Sequence, residues 1–216
     1  MNRTIGKLLI AFPIIILLLS VSARADPLVV DPVGDFLPSY TGPHGGDLDV
    51  VSTSVNLLGN NLVFSATLNG NVGTTAQGFY IWGVNRGGST ANFASLGLPN
   101  IVFDTVVRIN PDATGTVTLI GGATTNLAPG SITIKGNGFQ AVVPLSLLPS
   151  NGFGLSQYGQ NLWPRFGGAV GNAQISDFAP DATMAGITTP EPATLLLLGT
   201  GLIGLGSRYR RRKAKR

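Results

Sequence analysis

The chain has 216 residues, with 14 lysines and arginines, 10 aspartates and glutamates, one histidine and no cysteine. Without thiols it has no cysteine nucleophile, thiolate metal site or disulfide staple. Its formal charge of +4 sits at the two ends: from Asp26 to Pro192 four cations (Arg86, Arg108, Lys135, Arg165) face ten acids, a net of −6, which argues against binding to a phosphate backbone.

The first 25 residues read as a secretory signal peptide. Arg3 and Lys7 supply the positive start, Leu8 to Val21 is apolar, and Ala23-Arg24-Ala25 is an A-x-A cleavage site that would leave Asp26 as the mature N-terminus. Pro13 within a short apolar run disfavours an uncleaved anchor.

The next 160 residues or so are enough for one domain with a proper core. They are rich in Gly, Asn, Thr, Ser and Val and poor in Glu and Lys, a composition that favours strands joined by tight turns over helices. Strands are predicted at Val50–Val55, Leu62–Leu68, Phe79–Asn85, Ile101–Ile109, Gly115–Ile120, Ser131–Lys135, Gly138–Val143 and Gln174–Phe178. The clearest alternation puts Leu62, Phe64, Ala66 and Leu68 on one face and Val63, Ser65 and Thr67 on the other. Leu58-Gly59-Asn60-Asn61 and Gly136-Asn137 are hairpin signals. One helical turn is expected at Leu145–Leu148, between Pro144 and Pro149. Leu162-Trp163-Pro164-Arg165 reads as a loop that pins Trp163 against the domain. The expected fold is an all-β, antiparallel, jelly-roll-like sandwich over residues 26–185, with Thr183 to Thr189 as a linker.

Few residues in this body could carry chemistry. His44, in Gly42-Pro43-His44-Gly45-Gly46-Asp47, could act as a base oriented by Asp47, but no G-x-S-x-G elbow accompanies it and a solvated loop histidine is the simpler reading. The aspartates Asp31, Asp35, Asp47 and Asp49 are the best site candidates. Asp31 and Asp35 flank a Pro-Val-Gly turn, while Asp47 and Asp49 are two apart and point to one side of an extended segment. Converging carboxylates suit calcium, which takes six to eight hard oxygens. The competing reading is that aspartates beside Pro and Gly build turns. The aromatics Tyr40, Phe79, Tyr80, Trp82, Tyr158 and Trp163 are either core or a platform for stacking on sugar rings.

The last segment is the most distinctive. Pro190-Glu191-Pro192 is followed by Ala193 to Ser207 without a charge, then by cations at Arg208, Arg210, Arg211, Arg212, Lys213, Lys215 and Arg216. As a helix, 193–207 would be about 22 Å long, short of the roughly 20 residues of a comfortable membrane span. The cations would stop transfer and stay on the cytoplasmic side, leaving the body outside the inner membrane. The two prolines would keep the signal extended ahead of the helix. Gly199-Thr200-Gly201-Leu202-Ile203-Gly204 fits the dinucleotide fingerprint, but no acidic residue or second strand follows it. Nucleic acid is not an expected partner of the basic run.

Residues 186–216 resemble the PEP-CTERM sorting tail of exported Gram-negative proteins. The resemblance implies an exosortase as partner, recognising Pro190, Glu191 and Pro192, alongside the secretion machinery and the inner membrane, and a cell-surface or extracellular setting, often in an exopolysaccharide biofilm matrix. Asp31-Pro32-Val33-Gly34-Asp35, Asp47-Leu48-Asp49-Val50-Val51, Asn61-Leu62-Val63-Phe64-Ser65 and the run from Phe139 to Leu148 resemble family-nine carbohydrate-binding modules and DOMON-like sandwiches, which supports the fold. The expected protein is therefore exported and non-enzymatic. The alternative is a carbohydrate-binding module, calcium-dependent or not, for exopolysaccharide.

Overall fold

The structure, a computed structural model, describes residues 28–88 and 91–189. The predicted signal peptide with its expected cleavage site at Ala23, Ala25 and Asp26, the Pro190-Glu191-Pro192 signal, the segment 193–207 and the basic tail lie outside the described residues.

Thirteen strands and no α-helix make up the described chain. The strands are β1 (Val29–Val30), β2 (Val50–Leu58), β3 (Asn61–Leu68), β4 (Gly78–Asn85), β5 (Ala91–Phe93), β6 (Leu98–Phe103), β7 (Thr105–Ile109), β8 (Gly115–Leu119), β9 (Thr124–Asn126), β10 (Ile132–Lys135), β11 (Gly138–Pro144), β12 (Gly159–Phe166) and β13 (Ala185–Gly186). One sheet runs β1-β2-β3-β11-β10, the other β13-β12-β4-β7-β8-β9, and β5 pairs with β6 as a separate ribbon. All the paired strands are antiparallel, so the chain folds as the expected β-sandwich.

The two predicted hairpins close β2 on β3 at Leu58–Asn61 and β10 on β11 at Lys135–Gly138. The period-two pattern of β3 acts as its composition dictates: Leu62, Phe64, Ala66 and Leu68 all enter the space between the sheets. They meet Phe139, Ala141 and Val143 from β11 and Tyr80, Trp82 and Val84 from β4. Trp82 packs against Phe64 and Phe139 at ring separations of 5.3 and 5.5 Å, and its indole N–H donates to Gln160 at 2.9 Å, which satisfies the one polar atom it carries inside.

The other face of β4 is covered as well. Ile81, Phe93, Ile101, Phe103, Trp163, Ile175 and Phe178 form a second core on the outside of the six-stranded sheet. The β5–β6 ribbon and the segment around residues 175–178 close over it. Trp163 lies against Phe93, Phe103 and Phe178 at 5.0, 5.0 and 5.8 Å. A side chain at Gly83 would overlap the Trp163 ring, so this glycine is there for close approach.

Several predicted elements change. Ile101–Ile109 is two strands, not one: the chain breaks at Asp104, and β6 leaves to pair with β5 while β7 stays in the large sheet. Gln174–Phe178 is no strand. It leaves a 3-10 turn at Gly171–Gln174 and touches β12 through single bridges, Arg165 with Ile175 and Leu162 with Ala179. The supposed loop around Trp163 is β12, the neighbour of β4 along its whole length. Pro164 is tolerated there because β12 has a regular strand on one side only at that point; β13 reaches only Gly159 and Gln160. The predicted turn after Pro144 is a 3-10 turn, Leu145–Leu147. The linker continues the domain's pairing, with β13 on β12 and Thr188 exchanging backbone hydrogen bonds with Val55 and Leu57 at 2.9 and 2.8 Å.

Candidate functional site

The aspartates singled out in the sequence separate into two kinds. Asp47 is fully buried and is held by the Thr75 backbone N–H at 2.8 Å and the Thr75 hydroxyl at 2.5 Å. Asp49 accepts from the Gly34 N–H at about 3.0 Å and from the Asn69 amide at 2.9 Å. Both tie distant loop segments together, and neither joins the group of four carboxylates that could hold a metal. Gly34 itself sits at φ 85°, a conformation open to glycine, and this lets its N–H face Asp49.

Asp31 and Asp35 go elsewhere. They meet Asp177 and Asp181, with one carboxylate oxygen from each of the four within 4.8 Å of the others. The backbone explains the meeting. Asp31 follows β1 and hydrogen-bonds through its N–H to Val51 of β2 at 3.0 Å. The chain from Asp31 to Thr41 then runs beside the C-terminal loop, with the Leu37 N–H on Ser176 at 2.8 Å and the Thr41 N–H on Ala173 at 3.2 Å. Phe178, anchored in the outer core, sets Asp177 immediately before it. Asp177 is then locked by two backbone donors, Val50 at 2.8 Å and Phe178 at 2.7 Å. The Asn161 side chain holds the far side of the loop, donating to the carbonyls of Pro180 and Thr183.

Two of the four carboxylates are buried, Asp31 at 5 % and Asp177 at 2 % exposure, and two face solvent. Burial, and then the charges of Asp177, Asp181 and Asp35, push Asp31 up to about 9. Burial raises Asp177 to about 7, aided by the charges of Asp35 and Asp49 and opposed by the Val50 and Phe178 N–H groups. Asp35 is raised too, chiefly by burial, with Asp181 and Asp49 adding to it. No cation is prominent among these influences; the ion pair among the described residues, Arg86 with Asp104 at 2.9 Å, is a separate feature.

The sign of the pH effect follows. A carboxyl raised in the folded state binds protons that the unfolded chain has already released, so its contribution is full below about 3.8 and is lost as pH rises through the folded values. In chelator, the melting temperature is expected to fall steadily between pH 5 and pH 9. A flat or rising profile in a differential scanning experiment would show that the four carboxyls are not coupled as the structure has them.

Asp177 and Asp181 were missed in the sequence, where residues 174–178 read as a strand. The available signal was the match between two short segments, Asp31-Pro32-Val33-Gly34-Asp35 and Asp177-Phe178-Ala179-Pro180-Asp181. Each has aspartates four apart around a proline.

The other candidates form no site, although His44 stays exposed on its loop. His44 stacks on Phe36 at 4.4 Å and 7° and lies near Tyr40 at 5.8 Å. Its supposed orienter Asp47 is engaged by Thr75. Tyr40, Tyr80, Trp82, Tyr158 and Trp163 are all buried, and Phe79 is covered by the Arg108 guanidinium 4.0 Å above its ring. They form no exposed stacking platform.

Residues 188–212 match the PEP-CTERM protein-sorting motif. The match takes in Pro190-Glu191-Pro192, the apolar segment and the cations to Arg212, and it starts at Thr188, whose backbone is still paired with β2. No curated protein matches the chain.

Proposed function

We infer that a motif of this kind marks an exported protein sorted at the membrane of a Gram-negative cell by an exosortase. We propose that this chain is such a substrate with no catalytic activity of its own: residues 1–25 export it, 193–207 and the cations after them hold it at the inner membrane, and the sandwich is displayed at the cell surface or in the extracellular matrix. The observation that carries the reading is that the sorting motif begins at Thr188, at the end of the described residues, where the backbone is still hydrogen-bonded to Val55 and Leu57 of β2. The domain's inventory agrees with a non-enzymatic role. Its one histidine stacks on Phe36, and Asp47, Asp49 and Asp104 are held by hydrogen-bond donors. A carbohydrate-binding role, the second reading, would need contacts other than aromatic stacking, because both tryptophans are in the cores.

Intact-mass measurement on membrane and medium fractions tests the sorting. The expected mature species starts at Asp26 and ends near Pro190. With Pro190→Ala and Glu191→Ala together, the tail is expected to persist and the protein to stay with the inner membrane. Wild-type maturation of that double variant would remove exosortase recognition from the account.

A further inference from the structure

We propose that Asp31, Asp35, Asp177 and Asp181 form a binding site for one divalent cation of the calcium type, which staples the start of the mature chain to the loop that precedes the sorting region. Two independent observations carry it. The first is the convergence itself. Oxygens bound to a single calcium ion at about 2.4 Å can lie no more than about 4.8 Å apart, and the four carboxylate oxygens lie within 4.8 Å of one another. Magnesium demands near-ideal octahedral geometry and keeps several of its waters, so a site of four protein carboxylates suits calcium better.

The second observation is Asp31. It is only 5 % exposed, yet its Oδ2 has no hydrogen-bond partner. A buried carboxylate oxygen with nothing donating to it is costly, and the side chains nearest in charge are other carboxylates, Asp177, Asp181 and Asp35. Such a crowd of carboxylates needs either a proton or a cation to neutralise it, and a divalent cation serves all four at once.

The donor set is all oxygen and anionic, which suits a hard ion over zinc or copper. Two buried ligands are fixed by the fold, Asp177 by its two backbone N–H donors. Two exposed ligands leave room for water to complete the six to eight positions that calcium takes. Asp49, the nearby fifth acid, is already committed to Gly34 and Asn69 and serves to hold the Asp31–Asp35 turn in place.

The test uses the full chain purified in detergent and stripped with chelator. Equilibrium dialysis against calcium is expected to give one ion per chain with a dissociation constant between about 10 µM and 1 mM, the range of extracellular sites and the weaker sensors. Calcium is also expected to raise the melting temperature. Asp31→Asn is expected to weaken binding at least tenfold. Because Asp177→Asn can disturb folding through Val50, the exposed ligands provide the decisive variants: Asp35→Asn with Asp181→Asn must lose calcium binding while melting cooperatively, and Asp112→Asn, in a turn elsewhere, must keep it. Absence of saturable uptake at millimolar calcium overturns the proposal. So does undiminished binding in the Asp35/Asp181 double variant, and equal affinity for magnesium overturns the assignment to calcium.

Discussion

Trp163→Ala is expected to destabilise the domain by about 3–5 kcal/mol, the range for truncating a large buried aromatic. The ring is 2 % exposed and sits at the centre of the outer core, against Phe93, Phe103 and Phe178. Gly83 beneath it has no side chain to move into the gap, so the site relaxes poorly. Domains of this kind are stable by only about 5–15 kcal/mol, which makes the loss a large share of the total. The midpoint of urea unfolding measures it. The consequence reaches the acidic cluster, because Phe178 loses one of its aromatic neighbours and is left with Phe93 at 4.9 Å, and Asp177 and Asp181 lie on either side of it in sequence. Loosening of that loop should appear as faster amide exchange at Phe178 and Ala179. A loss below about 1 kcal/mol, ordinary for a surface position, would mean that the outer core does not hold the loop.

Arg86→Ala is expected to cost about as much, 3–5 kcal/mol being the rough price of breaking a buried ion pair from one side. Arg86 is 4 % exposed and Asp104 3 %. The guanidinium donates to Asp104 at 2.9 Å and to the Pro149 carbonyl at 2.6 Å. Asp104 also accepts from Gly88 at 3.1 Å, Asn151 at 3.1 Å and the Thr105 hydroxyl at 3.1 Å. Three chain segments meet here: the end of β4, the break between β6 and β7, and the loop after Pro149. Burial works against the Asp104 charge, but the Asn151, Arg86 and Gly88 hydrogen bonds and the Arg86 charge outweigh it and hold the carboxyl below its usual range. Its contribution is therefore present above about 3.8 and is lost as pH falls through the folded value, opposite in sign to the four-aspartate cluster. Thermal unfolding of Arg86→Ala at neutral pH measures the cost. An unchanged melting temperature would mean that the remaining donors suffice to hold Asp104.

The legible parts of the fold were those written in local pattern. The alternation of Leu62, Phe64, Ala66 and Leu68 identifies a half-buried strand, and Gly59-Asn60 and Gly136-Asn137 set two hairpins by turn chemistry. The illegible parts were those where a residue's meaning depends on its neighbours in space. Pro164 and the polar Gln160 and Asn161 disguise β12, which is nonetheless a full partner of β4. The apolar run from Ile101 to Ile109 conceals its break, since the contacts that hold Asp104 between β6 and β7, with Arg86, Gly88 and Asn151, come from elsewhere in the chain. Likewise Phe79-Tyr80-Ile81-Trp82 carries no local sign that both of its faces are covered.

The sequence by itself determined the sorting motif and the kind of domain that precedes it. A sorting motif is a linear segment, read as composition and order along the chain, and turn-rich alternation commits the body to sheets before any packing occurs. Only the tertiary structure decided which acids share a site. Asp31 and Asp177 are far apart in sequence and become neighbours because β1 pairs with β2 while the loop after β12 packs its Phe178 into the outer core. Asp47 and Asp49, which looked equally suited from their spacing, are drawn away by Thr75, Gly34 and Asn69. Backbone donors within reach turn one pair of carboxylates into ties between loop segments, and their absence at Asp31 Oδ2 leaves the other group facing inward on itself.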